Sequence, residues 1–220
     1  MPVARGIIIT MTNIIYILTN PVLPDLIKIG RTTNLEERMR SLSSHSGVPV
    51  PFECYYACEV KDAQDVERRL HGAFGDNRIN PKREFFRINP ERVKMILEAL
   101  SLEDVTPRSD VVEDEEDAET LRRAKERRPV FKFSIVDVPV GAILHFIKEE
   151  TVTCKVIDDK RVEFEGSSTS LSNAARTMLH RHGGTLSAAQ GPLYWIYENE
   201  TLAERRVRME SEDSELGELE

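Results

Sequence analysis

Tyr16 sits in the apolar run Ile14–Leu18, with Lys28 and Gly30 twelve and fourteen positions further on. The turn cluster from Asn20-Pro21 to Pro24-Asp25 lies between them, so a hairpin would set the phenol beside the ammonium. A lysine near a phenol favours the phenolate and would make Tyr16 a base able to activate water. Gly30, lacking a Cβ, would let the chain or a phosphate come close. Arg38 lies one helical turn past a cap expected at Asn34, off the apolar stripe of Leu35, Met39 and Leu42, and its guanidinium could hold a phosphate by paired hydrogen bonds. Glu67 and His71, four apart, share a helix face beside Val66 and Leu70. A carboxylate at a core edge suits Mg²⁺ or Mn²⁺, because Mg²⁺ takes few protein oxygens and completes its shell with water and phosphate. Each residue also has a plain structural reading: a sheet tyrosine, a solvated lysine, Arg38 paired with Glu37, Glu67-Arg68-Arg69 as an exposed helix face. The ordered set of Tyr16, Lys28-Ile29-Gly30, Arg38 and Glu67 is much harder to ascribe to chance than any one of them.

The elements that must position these groups follow from patterning. Asn13–Thr19 and Leu26–Arg31 are expected strands, rich in β-branched and apolar residues. Asn34 with Glu37 three residues later opens a helix. Ser43–Pro51 is a loop containing His45, a further candidate for DNA contact. Phe52–Val60 is a third strand, and Asp62 caps a helix to about Phe74 with Ala63, Val66, Leu70 and Phe74 inward. Gly75–Lys82 is a polar loop, Arg83–Ile88 a short strand, and Asn89-Pro90 an N-cap and N1 proline opening a helix to about Leu100. Arg78, Lys82, Arg83 and Arg87 make the loop and strand basic, suited to phosphate contact that positions DNA without reading its sequence. Arg31, closing the second strand, belongs with them.

Charge is unevenly spread along the 220 residues, whose formal net charge is −8. Residues 1–100 hold 14 Lys/Arg against 12 Asp/Glu, whereas residues 101–128 hold 6 against 10 and residues 201–220 hold 3 against 7. The acidity that would repel nucleic acid therefore lies outside the first hundred residues. Cys54, Cys58 and Cys154, an odd count without CxxC spacing, support neither a disulfide framework nor a four-ligand zinc site, and reduced thiols in a cytoplasmic protein are expected. The apolar run Gly6–Leu18 is broken by Thr10, Thr12 and Asn13 and is too short for a membrane span.

Residues 101–128 read as a charged linker, partly helical in its second half, and residues 129–202 as a second small α+β domain. Val130–Val136, Thr151–Ile157 and Arg161–Glu165 are expected strands, with Asp158-Asp159 turning the last two into a hairpin. Gly141–Ile147 fits strand or helix. Ser170 or Ser172 caps a helix to about His180, ended by Gly183-Gly184, and Leu193–Tyr197 is a final strand. Trp195, between Tyr194 and Ile196, could offer bases a stacking surface, or could alternate into a small core. Residues 203–220 are an expected charged, fraying tail.

IIYIL, IKIGRT, a helix bearing Arg38, Glu67 in VERRLH, and REFF together resemble the GIY-YIG nuclease superfamily over residues 13–100. The likeness is greatest to a branch named after a phage DNA-binding reading frame and a meiotically up-regulated yeast gene. It implies metal-dependent hydrolysis of DNA, with Tyr16 as base, Lys28 assisting it, Arg38 on the scissile phosphate, Glu67 on one Mg²⁺ or Mn²⁺, and a less defined role for His71. Ile14 stands where the family has its name-giving glycine and Lys28 where it has a second tyrosine; many members of this branch are described only as DNA-binding. PVGAILHF, VIDDKRVEFEG, SLSNAA and GPLYWIYENETL resemble a small domain associated with restriction enzymes and adenine methylases, which implies DNA recognition by residues 131–202. The combined expectation is an α+β endonuclease with DNA as partner and no small-molecule cofactor, a homodimer being left open. The alternatives are a non-catalytic DNA-binding adaptor and a protein-interaction module.

Overall fold

Side-chain alternation along one strand organises the first half of the chain. In the computed structural model, which describes residues 13–44, 48–109, 111–112, 115–126, 131–183 and 189–217, β1 (Ile14–Thr19) is the centre of a five-stranded sheet. β2 (Ile27–Thr32) and β3 (Glu53–Glu59) flank it, β4 (Phe85–Phe86) lies outside β2, and β5 (Glu103–Asp104) lies outside β3. Ile15 and Ile17, with Ile27 and Ile29, face a cluster holding Leu70, Phe86, Val93 and Leu97. Ile14, Tyr16 and Leu18 face the opposite cluster with Leu35, Met39 and Phe52. Because both faces are covered, β1 is apolar at nearly every position instead of alternating with polar residues. The fold is α+β as expected, with every strand pairing antiparallel rather than mixed.

Local signals set the helices. α1 (Leu35–Ser43) begins where the Asn34 side chain accepts from the Glu37 N–H. α2 (Ala63–Ala73) is capped by Asp62, which accepts from the Asp65 N–H. α3 (Pro90–Leu100) has Asn89 as cap and proline in its first turn. The strand expected over residues 83–88 is reduced to Phe85–Phe86, which pair with Lys28 and Ile27. The acidic segment after residue 100 supplies β5 and α4 (Glu115–Glu126); on α4 Leu121 is buried and Lys125 meets Glu53 at 2.8 Å. The chain divides into two compact units, Met1–Arg128 and Pro129–Glu220.

The second unit is an antiparallel six-stranded sheet in the order β11-β10-β6-β7-β8-β9. Its strands are β6 (Ile143–Phe146), β7 (Glu149–Val156), β8 (Arg161–Phe164), β9 (Ser167–Ser170), β10 (Trp195–Tyr197) and β11 (Glu200–Thr201). α5 (Leu171–Arg181), capped by Ser170, and α6 (Leu202–Gly217) complete it. The expected strand at 130–136 is instead a 3₁₀ turn, Phe133–Val136. Both end residues bury their side chains, and three-residue spacing sets them on one side of such a turn. The Phe133 and Ser134 N–H groups are held by the Asp159 carbonyl and carboxylate. The expected fraying after residue 202 is replaced by α6, which Thr201 and Glu204 open reciprocally: the Glu204 N–H donates to Thr201 Oγ1 at 3.2 Å and the Thr201 N–H to Glu204 Oε2 at 2.9 Å. Arg205 then donates to the Val136 carbonyl at 2.7 Å.

Trp195 is fully buried, edge-on to Phe146 and Phe164, and its Nε1 donates to the Leu171 carbonyl at 3.2 Å. The indole is a core anchor and offers no stacking face, because its ring fills the space between α5 and the sheet. His45 and Gly184 lie outside the described residues. Cys54, Cys58 and Cys154 are free thiols, and burial pushes Cys54 and Cys154 up to about 12, which leaves them inert. No helix among the described residues is long and apolar enough to cross a membrane.

Candidate functional site

The hairpin register decides which groups meet. Tyr16 lies opposite Gly30, and Leu18 lies opposite Lys28. The Tyr16 ring leans across Gly30, where a β-carbon would fall 2.5 Å from Oη and 2.7 Å from Cζ. The space opened by this glycine is thus taken by the phenol, not by a phosphate. Lys28 sits two cross-strand pairs nearer the turn and is tied to Glu84 at 2.6 Å, with its ammonium 5.4 Å from the Phe85 ring centre. The group that touches the phenol is Arg38, whose Nε donates to Tyr16 Oη at 3.2 Å.

Arg38 gets there through the link between β2 and α1. Thr32 Oγ1 accepts from the Asn34 N–H at 3.1 Å, Asn34 caps α1, and Leu35 and Met39 bury beneath the helix. One turn in, Arg38 is left half-buried over Tyr16. Burial raises the phenol above its ordinary value; the hydrogen bond and charge of Arg38 oppose that rise, and the carboxylates Glu84 and Glu67 add to it. The expectation of a phenol lowered by Lys28 is therefore corrected: Tyr16 is neutral at pH 7, and the cation favouring its phenolate is Arg38.

Glu67 approaches from α2, on the other face of the sheet, one turn beyond Ala63. Its Oε2 accepts from Arg31 Nε at 2.9 Å, with the carboxylate side chain 18% exposed and the arginine 48%. A cleft of about 310 Å³ is lined by Asn13, Arg31, Thr32, Thr33, Arg38 and Ala63, so two guanidinium groups border one space. On β2, the pairing with β4 reaches Ile27 and Lys28, and Arg31 and Thr32 further along the strand line this cleft. His71 does not enter the cleft lining; its Nε2 donates to the Ile29 carbonyl at 3.1 Å and its ring lies 5.1 Å from that of Phe86. It braces α2 against β2.

Glu84 was not singled out from the sequence beyond its place in REFF. Burial raises its carboxyl, but Lys28 first, then His71 and Arg38, outweigh that and hold it below the ordinary range. An acidic residue directly before two strand aromatics was the available signal. A lowered folded value means that the stabilisation is present above the unfolded value near 4.5 and is lost as pH falls through the folded one. Glu84→Gln should accordingly remove a small part, below ~1 kcal/mol after solvent screening, of the acid sensitivity of the first unit, read as a flatter unfolding midpoint between pH 5 and pH 3 by circular dichroism.

Among the basic residues of the following segment, Arg78 is used internally, with Nε donating to the Arg83 carbonyl at 2.7 Å and its guanidinium over Phe86. Lys82, Arg83 and Arg87 are exposed. Among the described residues no three His, Cys, Asp or Glu side chains converge as a metal cage.

No curated protein and no solved structure matches the chain. Residues 13–101, the stretch that carries β1 to β4 and α1 to α3, match the family model of the T5orf172 domain.

Proposed function

We propose that the first unit binds DNA and hydrolyses a phosphodiester at the cleft between Arg31 and Arg38. The observation that carries this reading is that Arg38 and Arg31 line one cleft, Arg38 being bonded to the buried Tyr16 and Arg31 to Glu67. The T5orf172 match over the same residues, and the GIY-YIG resemblance, support a nuclease-like or DNA-binding role.

Glu67 is a hard oxygen donor, and a single carboxylate fits Mg²⁺ or Mn²⁺ held otherwise by water and phosphate rather than by a closed protein cage. Such an ion would supply charge stabilisation at the phosphoryl oxygens. The chain's own groups do the rest. Arg38 and Arg31 hold the phosphate by charge-assisted hydrogen bonds. Tyr16, in its phenolate form, accepts at Oη the proton of the attacking water. The new P–O bond forms as the ester P–O bond to the leaving sugar oxygen breaks, and that oxygen takes a proton from solvent water to leave as a hydroxyl. Lys28 and Glu84 brace the floor beneath the phenol. Lys82, Arg83 and Arg87 extend a positive surface along the backbone of the duplex. The second unit serves as a recognition module, a role that rests on its resemblance to the restriction-associated domain and no longer involves Trp195.

Two observations favour a second reading, a DNA-binding adaptor without cleavage: the phenol is held neutral and the Glu67 carboxylate is already paired with Arg31. Supercoiled plasmid incubated with the full chain separates the two. Cleavage predicts nicked or linear product with Mg²⁺ or Mn²⁺ and none with EDTA. Retardation of the plasmid without product in any divalent metal would establish the adaptor. Absence of retardation at low salt would remove DNA from the account.

A further inference from the structure

Two anions would compete for Arg31. Its guanidinium lines the cleft where a phosphate would lie, yet its Nε is spent on the one carboxylate suited to a metal ion. Arg31 is half exposed and Glu67 largely covered, so the mobile partner of the pair is the arginine. Arg38, the other guanidinium in the cleft, has no such conflict, because its contact is to a neutral phenol. Glu67 is tied to the cleft through Arg31, which lines it.

We infer that Arg31 is an exchangeable residue that covers Glu67 in the free protein and leaves it for a backbone phosphate of the DNA, baring the carboxylate as the substrate arrives. This rests on the proposed function and deepens it. The ion pair suppresses metal binding at Glu67 until DNA is present, and Glu67 suppresses the grip of Arg31 on DNA until metal is present. Phosphate and metal then favour one another by linkage, since each releases the partner of the other from the pair. Arg31 is a positioning residue in this scheme and takes no proton.

The test is a double-mutant cycle on DNA affinity with EDTA present, using the full chain, a short duplex and fluorescence anisotropy at low salt. Glu67→Gln frees Arg31 and is expected to tighten metal-free binding roughly fivefold, the upper range for a partly exposed ion pair. In an Arg31→Gln background the same change should yield less than about twofold, the residue of simple charge removal. Equal gains in the two backgrounds would show a field effect and overturn the exchange, leaving the DNA reading intact. No binding by the parent would sink the DNA reading itself. Calorimetry gives a second readout: Arg31→Gln should bind Mn²⁺ without DNA more tightly than the parent, and Glu67→Gln should not bind it at this site. Unchanged Mn²⁺ affinity in Arg31→Gln also overturns the exchange, and both substitutions are checked for folding by circular dichroism.

Discussion

Tyr16→Phe is expected to slow metal-dependent DNA cleavage by roughly 10²–10⁴-fold, the usual contribution of a positioned base, with DNA affinity little changed. The phenol is buried and its folded value lies above the ordinary one, so the phenolate is scarce at neutral pH. The parent rate should therefore climb by roughly one decade per pH unit from pH 7 into the alkaline range, while the phenylalanine variant should lose that slope. The same shift has a stability consequence of determined sign: a raised folded value supplies stabilisation that is whole below the unfolded value near 10 and is lost as pH rises through the folded one. A pH–rate profile of parent and variant under single-turnover conditions decides the matter. A variant that keeps either the rate or the slope shows that another group takes the proton.

Gly30→Ala is the second large effect. The position has no left-handed backbone demand; its requirement is for space, because a β-carbon would lie 2.5 Å from Tyr16 Oη and 2.7 Å from Cζ. Tyr16 is fully buried between strands and helix and cannot retreat without moving its neighbours. Overpacking of this kind typically costs about 1–3 kcal/mol. It would also displace the phenol from Arg38, and a misplacement on the order of 1 Å can cost about 10²-fold in rate. Gly72→Ala on α2 is the control, since nothing lies within 4 Å of its would-be β-carbon and alanine favours a helix. Urea unfolding of the first unit should show the midpoint falling in Gly30→Ala and holding or rising in Gly72→Ala. An unchanged midpoint and rate in Gly30→Ala would contradict the packing described for the phenol.

Much of this arrangement could be read from residue order, and the departures have physical causes. Asn34, Asp62, Asn89 and Ser170 cap their helices as their side chains require. The apolar run of β1 pointed to a central strand. What spacing could not supply was register: with the turn a few residues long, a shift of two residues in the pairing moves Lys28 from Tyr16 to Leu18 and hands the phenol to Arg38. Nor could it place Glu84, whose meaning depends on a segment fifty-six positions from Lys28. The opening of α6 was legible, since Thr201 and Glu204 form a capping pair, but the dense charge after it reads as solvated chain. Trp195 shows the opposite failure: a tryptophan with Tyr194 and Tyr197 near it suggests a platform, and only the sheet pairing with β6 reveals that it points inward.

The complete enclosure of β1 bears on how such a domain can diversify. From Ile14 to Leu18 no side chain reaches solvent appreciably, and Tyr16 shares its place with a glycine that admits nothing larger. Changes there disturb packing on one face or the other, so the strand is a poor place for evolution to tune substrate preference. The residues better placed to vary are those of the opening with no role in the pairings described, Asn13 and Thr33, where a new side chain meets the incoming molecule before it meets the interior.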